Sequence, residues 1–279
     1  MRLSPKTTQG LAVAVLGGAT ALTLAALVFV IVFILARGLP VLSLDFLLDA
    51  PREMGKAGGI FPTLVGTLIL PLAALVLALP TGVGTAIYLT EYTQPGRVTR
   101  LIRFGTDCLA GIPSIIFGLF GFIFFVTLLH LGWSILSGAL TLAIMVLPTI
   151  IRTSEEAIRA VPSAYREVSY SLGATRWETV WKVVLPNALP GIVTGVMLSM
   201  GRCIGETAAV IFTAGSALRL PQSPFDSVRT MAVHFYILAR EGLSTENAYG
   251  TAAILILSVL AMNAIAYWSM HRFISKRSR

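Results

Sequence analysis

Residues 152–186 read RTSEEAIRAVPSAYREVSYSLGATRWETVWKVVLP, and the reading of this stretch decides the rest of the chain. It is the longest charged interruption between two strongly apolar segments. Thr153-Ser154-Glu155-Glu156 has the form of a capping box, with Thr153 three residues ahead of Glu156, and predicts a short helix running towards Ala160. Val161-Pro162-Ser163 restarts the chain, with Ser163 as the cap of a helix over 164–172. Gly173 fits the left-handed position that ends a helix. Thr175-Arg176-Trp177-Glu178 is a second capping box, opening a helix with Val180, Trp181 and Val184 on one face. Leu185-Pro186 then leads into the next apolar run. The product is a helix–turn–helix with Tyr165, Tyr170, Trp177 and Trp181 as large anchors. Pattern alone leaves two readings open: an amphipathic loop lying on a bilayer, or a docking element for another protein.

Around this element the chain is membrane-like. Of its 279 residues 56% are apolar and only 12% charged, against about 25% charged in an average soluble domain. Mean hydropathy is +0.83. The net charge of +8 does not mark a nucleic-acid binder, because the basic residues sit in short patches between apolar runs and form no basic face interleaved with aromatics. Cys108 and Cys203 stand far from any second ligand pattern and read as small buried apolar side chains, with no disulfide framework.

A helix crosses the hydrocarbon core in roughly 20 residues. Six spans are expected, over 11–36, 61–90, 105–131, 134–152, 188–213 and 249–271. The run at 11–36 is longer than a signal-peptide core and is read as a retained span. Pro71 and Pro80-Thr81-Gly82-Val83-Gly84 should kink the second span or carry it past the lipid. Gly111-Ile112-Pro113-Ser114 should break the third, either as a packing kink or as a pathway lining. Fourteen Lys and Arg flank one set of span ends and six the other, with Arg202 left inside a span. The positive-inside rule makes the first side cytoplasmic. It places Arg2, Arg152 and Arg279 inside and Arg37, Arg219 and Arg240 outside, with both termini cytoplasmic, as six spans require.

Two external segments are long. Residues 38–60 hold Asp45, Asp49, Glu53 and a Gly58-Gly59 turn. Residues 214–248 carry Val228, Met231, Ala232, Phe235 and Leu238 at helical spacing, predicting an amphipathic helix at the interface or on the span ends. A docking surface for an external protein is a further reading of it. No internal repeat is visible, which speaks against inverted-repeat secondary transporters.

The run from Glu167 through Gly173 to Val183-Val184-Leu185-Pro186 resembles the EAA loop of ABC importer permeases. That loop reads Glu-Ala-Ala, three residues, Gly, nine residues, an aliphatic residue, any residue, then Leu-Pro. Val168 and Ser169 depart from it at the two alanines. The stretches Leu109–Gly118, Leu147–Ala157 and Gly201–Ala208 resemble phosphate importer permeases, and Leu147–Ala157 with Leu189-Pro190-Gly191-Ile192 looks more like the A-type (PstA) subunit than its C-type partner. The resemblance implies an all-α, polytopic permease of the MetI-like fold with six transmembrane helices and a cytoplasmic coupling loop. Residues 1–58 would form the tail, first span and external loop, 59–271 the importer transmembrane domain and 272–279 a basic tail. It implies ATPase coupling through Glu167, Gly173, Ala174, Thr175, Arg176, Trp177, Leu185 and Pro186. The implied partners are a PstC-type permease, a PstB-type ATPase dimer and an extracytoplasmic PstS-type phosphate-binding protein, in a bacterial inner membrane.

Arg202 and Glu206 are charges placed deep in a span, where each costs about 2.5–3.5 kcal/mol on insertion scales. Four residues apart, they are expected to share a helix face and pair. One reading is a structural ion pair between spans; the other is a translocation-path site. Arg suits phosphate, because its planar fork makes two parallel charge-assisted bonds to oxyanion oxygens. Glu206 would then hold Arg202 in place, Thr207 would add a hydroxyl, and Gly201 and Gly205 would allow close helix approach. The resemblance associates these positions with the phosphate path.

The chain has no G-x-x-x-x-G-K-[ST] phosphate loop, so hydrolysis of ATP falls to a partner. His130, His234 and His271 lie on different segments, so no metal or cofactor site and no catalytic set is expected. Alternatives are a permease for sulfate or molybdate, or an ion-coupled secondary transporter or channel using Arg202 and Glu206 alone.

Overall fold

The fold is a bundle of long helices whose core is aliphatic, with glycines where helices cross closely. In the computed structural model the described residues are 4–94 and 96–277. Arg2 and Arg279 of the orientation argument, and the His271 side chain, lie outside what is described. Among the described residues five helices are long and apolar enough to cross a membrane, or six if one bent pair counts as a span. Helix α1 (Pro5–Gly38) is followed by a short helix α2 (Leu44–Leu48) and a two-residue hairpin, β1 (Pro51–Arg52) against β2 (Ala57–Gly58). The first span touches the rest mainly through α12 (Thr245–Arg277). There Gly38 lies against the Tyr249 carbonyl and Ala253, and Phe33 meets the Tyr249 ring edge-on at 6.0 Å.

Helix α3 (Phe61–Ile87) passes through Pro71 and Pro80 without ending. A π turn, Tyr88–Tyr92, extends it. The span is therefore 32 residues, about 48 Å at 1.5 Å per residue, and it runs past a hydrocarbon core of about 30 Å. It packs along α6 (Ile135–Arg159). Gly82 lets the two approach, since a Cβ there would stand 2.7 Å from Ile150 Cγ2. Leu70, Ala74 and Ala78 of α3 interlock with Leu142, Met145, Val146 and Ile150 of α6 in the main core.

The third span differs from expectation. Helix α4 (Arg97–Ala110) and α5 (Ser114–Gly121), the latter extended by a π turn over Phe122–Leu128, meet at 101°. The break falls at Gly111-Ile112-Pro113, as the sequence predicts, but the residues from 105 to 110 belong to the surface helix. Arg97, Arg100, Arg103 and Asp107 make α4 too polar to cross. Instead it lies over the end of α6, pinned by Arg103 to Glu155 at 3.3 Å and by Arg152 to Asp107 at 3.2 Å. Cys108, expected buried, is exposed on this helix, while Cys203 is buried.

After α6 come α7 (Ser163–Ser171) and α8 (Arg176–Thr179). A π turn, Val180–Val184, feeds α8 directly into α9 (Leu185–Gly205). Helix α10 (Ala208–Thr213) follows a break, and α11 (Met231–Arg240) packs on α12 and α3. Of the amphipathic residues predicted in this segment, Met231, Ala232 and Leu238 are buried on those span ends, Val228 is buried just ahead of the helix, and Phe235 is exposed.

Candidate functional site

The first predicted capping box is not used. Thr153 sits inside α6, and its hydroxyl donates back to the Thr149 carbonyl at 2.8 Å. Nothing between Ile150 and Arg159 breaks the helix, so it continues to Arg159. The restart at Pro162 is real, but Ser163 is the first helical residue and makes no side-chain cap. Gly173 adopts φ +84°, and Ala174 N–H donates to the Ser169 carbonyl at 3.2 Å, closing α7. The second capping box is complete: Thr175 Oγ1 accepts from Glu178 N–H, and Glu178 Oε2 accepts from Thr175 N–H at 3.0 Å.

What this element shows to solvent is apolar. Leu172 at the turn is 83% exposed and Trp177 60%. Val168, Tyr165, Tyr170 and Trp181 are also exposed, as is Glu167. Trp181, expected beside Val180 and Val184, faces out and meets the Trp177 ring edge-on at 5.2 Å. The two valines are fully buried, and the π turn separates the faces. A patch of this kind, aromatic and ringed by Arg and Glu, is the composition of a protein-docking surface.

Its inner side is anchored. Val161, Val184 and Ala188 share a buried cluster with Ala86 of α3, Ile158 of α6 and Ile192 of α9. Leu185 packs on that cluster and ties the element to it. Ser169 and Thr179 hydroxyls meet at 2.8 Å and lock α7 to α8. The Arg176 guanidinium lies over the Tyr92 ring at 5.9 Å.

Arg202 and Glu206 do not pair. Helix α9 ends at Gly205, and Glu206 is extended with ψ 130°. Its Oε1 accepts from Ala209 N–H at 3.1 Å, capping α10, and the side chain is buried. Arg202 in the last turn of α9 is exposed. Gly201 and Gly205 mediate no close packing within this chain, since a side chain at either would meet nothing within 4 Å. The break in the helix leaves an exposed guanidinium at the end of α9 and the Thr207 hydroxyl in the gap before α10. Thr207 lies on the wall of a cavity of about 1110 Å³, together with Ile115, Phe122, Trp133, Ser216, Ser227, Tyr236 and Arg240.

The 214–248 segment holds a feature that pattern missed. Arg229 is buried; it donates from Nε to the Ser216 carbonyl at 2.9 Å, just behind the cavity wall. Its Nη1 stands 3.4 Å from His234 Nδ1, which must accept there because a guanidinium only donates. Burial and the Arg229 charge push the His234 imidazole down to about 4. Gly55, at φ +101°, is pressed against this ring, with space for no Cβ.

Glu91 and Arg166 are also missed. Arg166 Nη2 donates to Glu91 Oε1 at 2.6 Å, with both side chains largely buried. The available signal was Glu91 itself, the single acidic residue between Phe61 and Thr106, placed where an apolar run meets arginines. Among the described residues no group of three metal-ligating side chains occurs.

The model of the binding-protein-dependent transport system inner membrane component family matches residues 78–279. A probable ABC transporter permease, YqgI of Bacillus subtilis, is 35% identical over 95% of this chain and 96% of its own. Phosphate transport system permease PstA 1 of Mycobacterium tuberculosis is 39% identical over 80% of this chain and 73% of its own. The fold is shared with a bacterial alginate ABC transporter (TM-score 0.69, 14% identity, 93% of each chain). It is also shared with the MetNI methionine ABC transporter (TM-score 0.61, 22% identity, 77% of this chain and 94% of that one). With its broken-helix bundle and a family match over most of its length, this chain belongs to the binding-protein-dependent transport system inner membrane component family, as a multi-pass inner-membrane transport subunit.

Proposed function

We propose that the chain is the permease subunit of an ATP-driven importer of inorganic phosphate. The observation that carries the motor half is the α7–α8 element, an exposed aromatic patch rigidly seated on α3, α6 and α9. A surface so anchored suits the receipt of force from an ATPase, here of PstB type, and the chain has no nucleotide loop of its own. Glu167, Gly173, Ala174, Thr175, Arg176 and Trp177 form or shape that surface, and Leu185 and Pro186 secure it.

The cargo half rests on Arg202 at the broken end of α9, with Thr207 beside it, and on kinship with permeases named for phosphate transport. Arg202 lacks a carboxylate partner among the described residues and keeps its donor fork for an oxyanion. The open face around Gly201 and Gly205 fits a homologous PstC-type permease completing the path, and a PstS-type binding protein would deliver phosphate from outside. The basic-residue count orients both termini to the cytoplasm. In this reading residues 59–271 are the transporting domain, 1–58 an added first span with its external loop, and 272–279 a basic tail.

The test is phosphate uptake by the complex reconstituted with its ATPase and binding protein, with sulfate as competitor. ATP-dependent uptake that sulfate leaves intact is expected. Equal competition by sulfate would reassign the cargo, and uptake without any ATPase would remove the coupling role.

A further inference from the structure

Arg166 ties three elements together, its own α7, the end of α3 and the end of α6. It belongs to α7, on the inner side of the docking patch. Its Nε donates to Glu91 Oε1 at 3.1 Å and to Oε2 at 3.3 Å, and its Nη2 donates to Oε1 at 2.6 Å. Its Nη1 donates to the Val161 carbonyl at 2.7 Å, and Nη2 to the Ile158 carbonyl at 2.9 Å. Those carbonyls close the end of α6, where the helix leaves acceptors that a guanidinium can satisfy. The Glu91 side chain is 7% exposed and that of Arg166 18%, so water competes poorly for either group, and each would be left uncompensated without the other.

Glu91 stands in the π turn that ends α3. The far end of that helix is also bonded: Thr67 Oγ1 accepts from Met231 N–H at 2.8 Å, and Gly66 lies against Val228 and the Arg229 carbonyl. One helix of 32 residues therefore joins the docking element to the external segment that backs the cavity. The stacking of Arg176 on Tyr92 adds a second contact at the same end.

We infer that Arg166, through Glu91, is the positioning residue that makes α3 move with the docking element, so that ATPase motion reaches the external side of the path. This rests on the coupling role proposed above. Displacing α7 while leaving α3 in place would require separating a buried, multiply bonded ion pair. Side chains that merely stabilise the loop do not need to reach α3; Ser169 and Thr179, for example, act between α7 and α8 alone.

The experiment measures phosphate transported per ATP hydrolysed in the full reconstituted complex, for wild type, Arg166→Gln and Glu91→Gln. Glu91→Gln keeps the side-chain shape and the Arg166 bonds to α6, so the docking element stays seated and the ATPase stays bound. Both variants are expected to hydrolyse ATP while the transport ratio falls at least tenfold, with Arg166→Lys intermediate. A structural role would lower hydrolysis and uptake together and leave the ratio unchanged. An unchanged ratio in Glu91→Gln overturns the inference while leaving the coupling surface standing. Wild-type uptake that needs no ATPase overturns both.

Discussion

Arg202 and Glu206 are separated by the end of a helix, and the carboxylate turns away to accept the Ala209 N–H at 3.1 Å. This gives the two charges independent tasks: one holds the restart of the chain at α10, and the other faces open space. Glu206→Gln keeps an acceptor oxygen for Ala209 and should retain most phosphate uptake. Arg202→Gln should abolish uptake while the complex still assembles. Equal loss in both variants, read by radiolabelled phosphate uptake, would restore the paired view. Glu206→Ala removes the cap and should cost about 1 kcal/mol, read as a fall in Tm of the purified complex.

Leu172 is the most exposed of the large apolar side chains on the aromatic patch proposed to dock the ATPase. Leu172→Asp should leave the chain folded, because the side chain touches no core, and should weaken ATPase binding by more than tenfold. Co-purification with the tagged ATPase measures this. Undiminished recovery would move the docking surface elsewhere.

Gly173 has φ +84°, and a Cβ there would meet nothing within 4 Å. The cost of Gly173→Ala is therefore one of backbone conformation alone, about 1 kcal/mol. The variant should bind the ATPase more weakly through a misdirected turn while Tm falls only slightly. A collapse of Tm would show that the turn supports the bundle.

His234 gives the 214–248 segment an acid sensitivity with a definite sign. Its folded pKa of about 4 lies below the ordinary 6.5, so between these values the unfolded segment binds more protons and stability rises with pH. The full contribution, on the order of 3 kcal/mol, is present above pH 6.5 and is lost as pH falls towards 4. Hydrogen-exchange protection of residues 231–240, taken relative to the intrinsic rate at each pH, should fall as pH drops across that window. His234→Gln, which does not titrate, should flatten the response; an unaltered profile would assign it to another group.

Local rules were legible and long-range ones were not. Gly173 and the Thr175–Glu178 box follow from steric and hydrogen-bond preferences within four residues, and both form as predicted. Thr153 carries the same signature but stands inside a helix with nothing to interrupt it, where a hydroxyl bonds back to the preceding turn. The Arg202–Glu206 pair assumed unbroken helical spacing, and the chain breaks at Glu206. The third span starts later than its pattern suggests, because an apolar tail of α4 adjoins α5 and only the charges at 97–107 reveal that the two lie at an angle. Arg166 and Glu91 are 75 residues apart, and no periodicity links them.

The π turn at Val180–Val184 has a consequence for how this surface can vary. Helices α8 and α9 form one continuous rod, so the azimuth of Trp177 about α9 depends on the number of residues between them. Each residue of an α-helix advances about 100°. Deleting one residue from 180–184 would swing the aromatic patch by roughly that angle while the apolar pattern of α9 stayed intact. Under the proposed coupling role, the alignment of the patch with the ATPase is a matter of phase, held by a single extra residue: substitutions there are tolerable in principle, whereas a one-codon deletion is not.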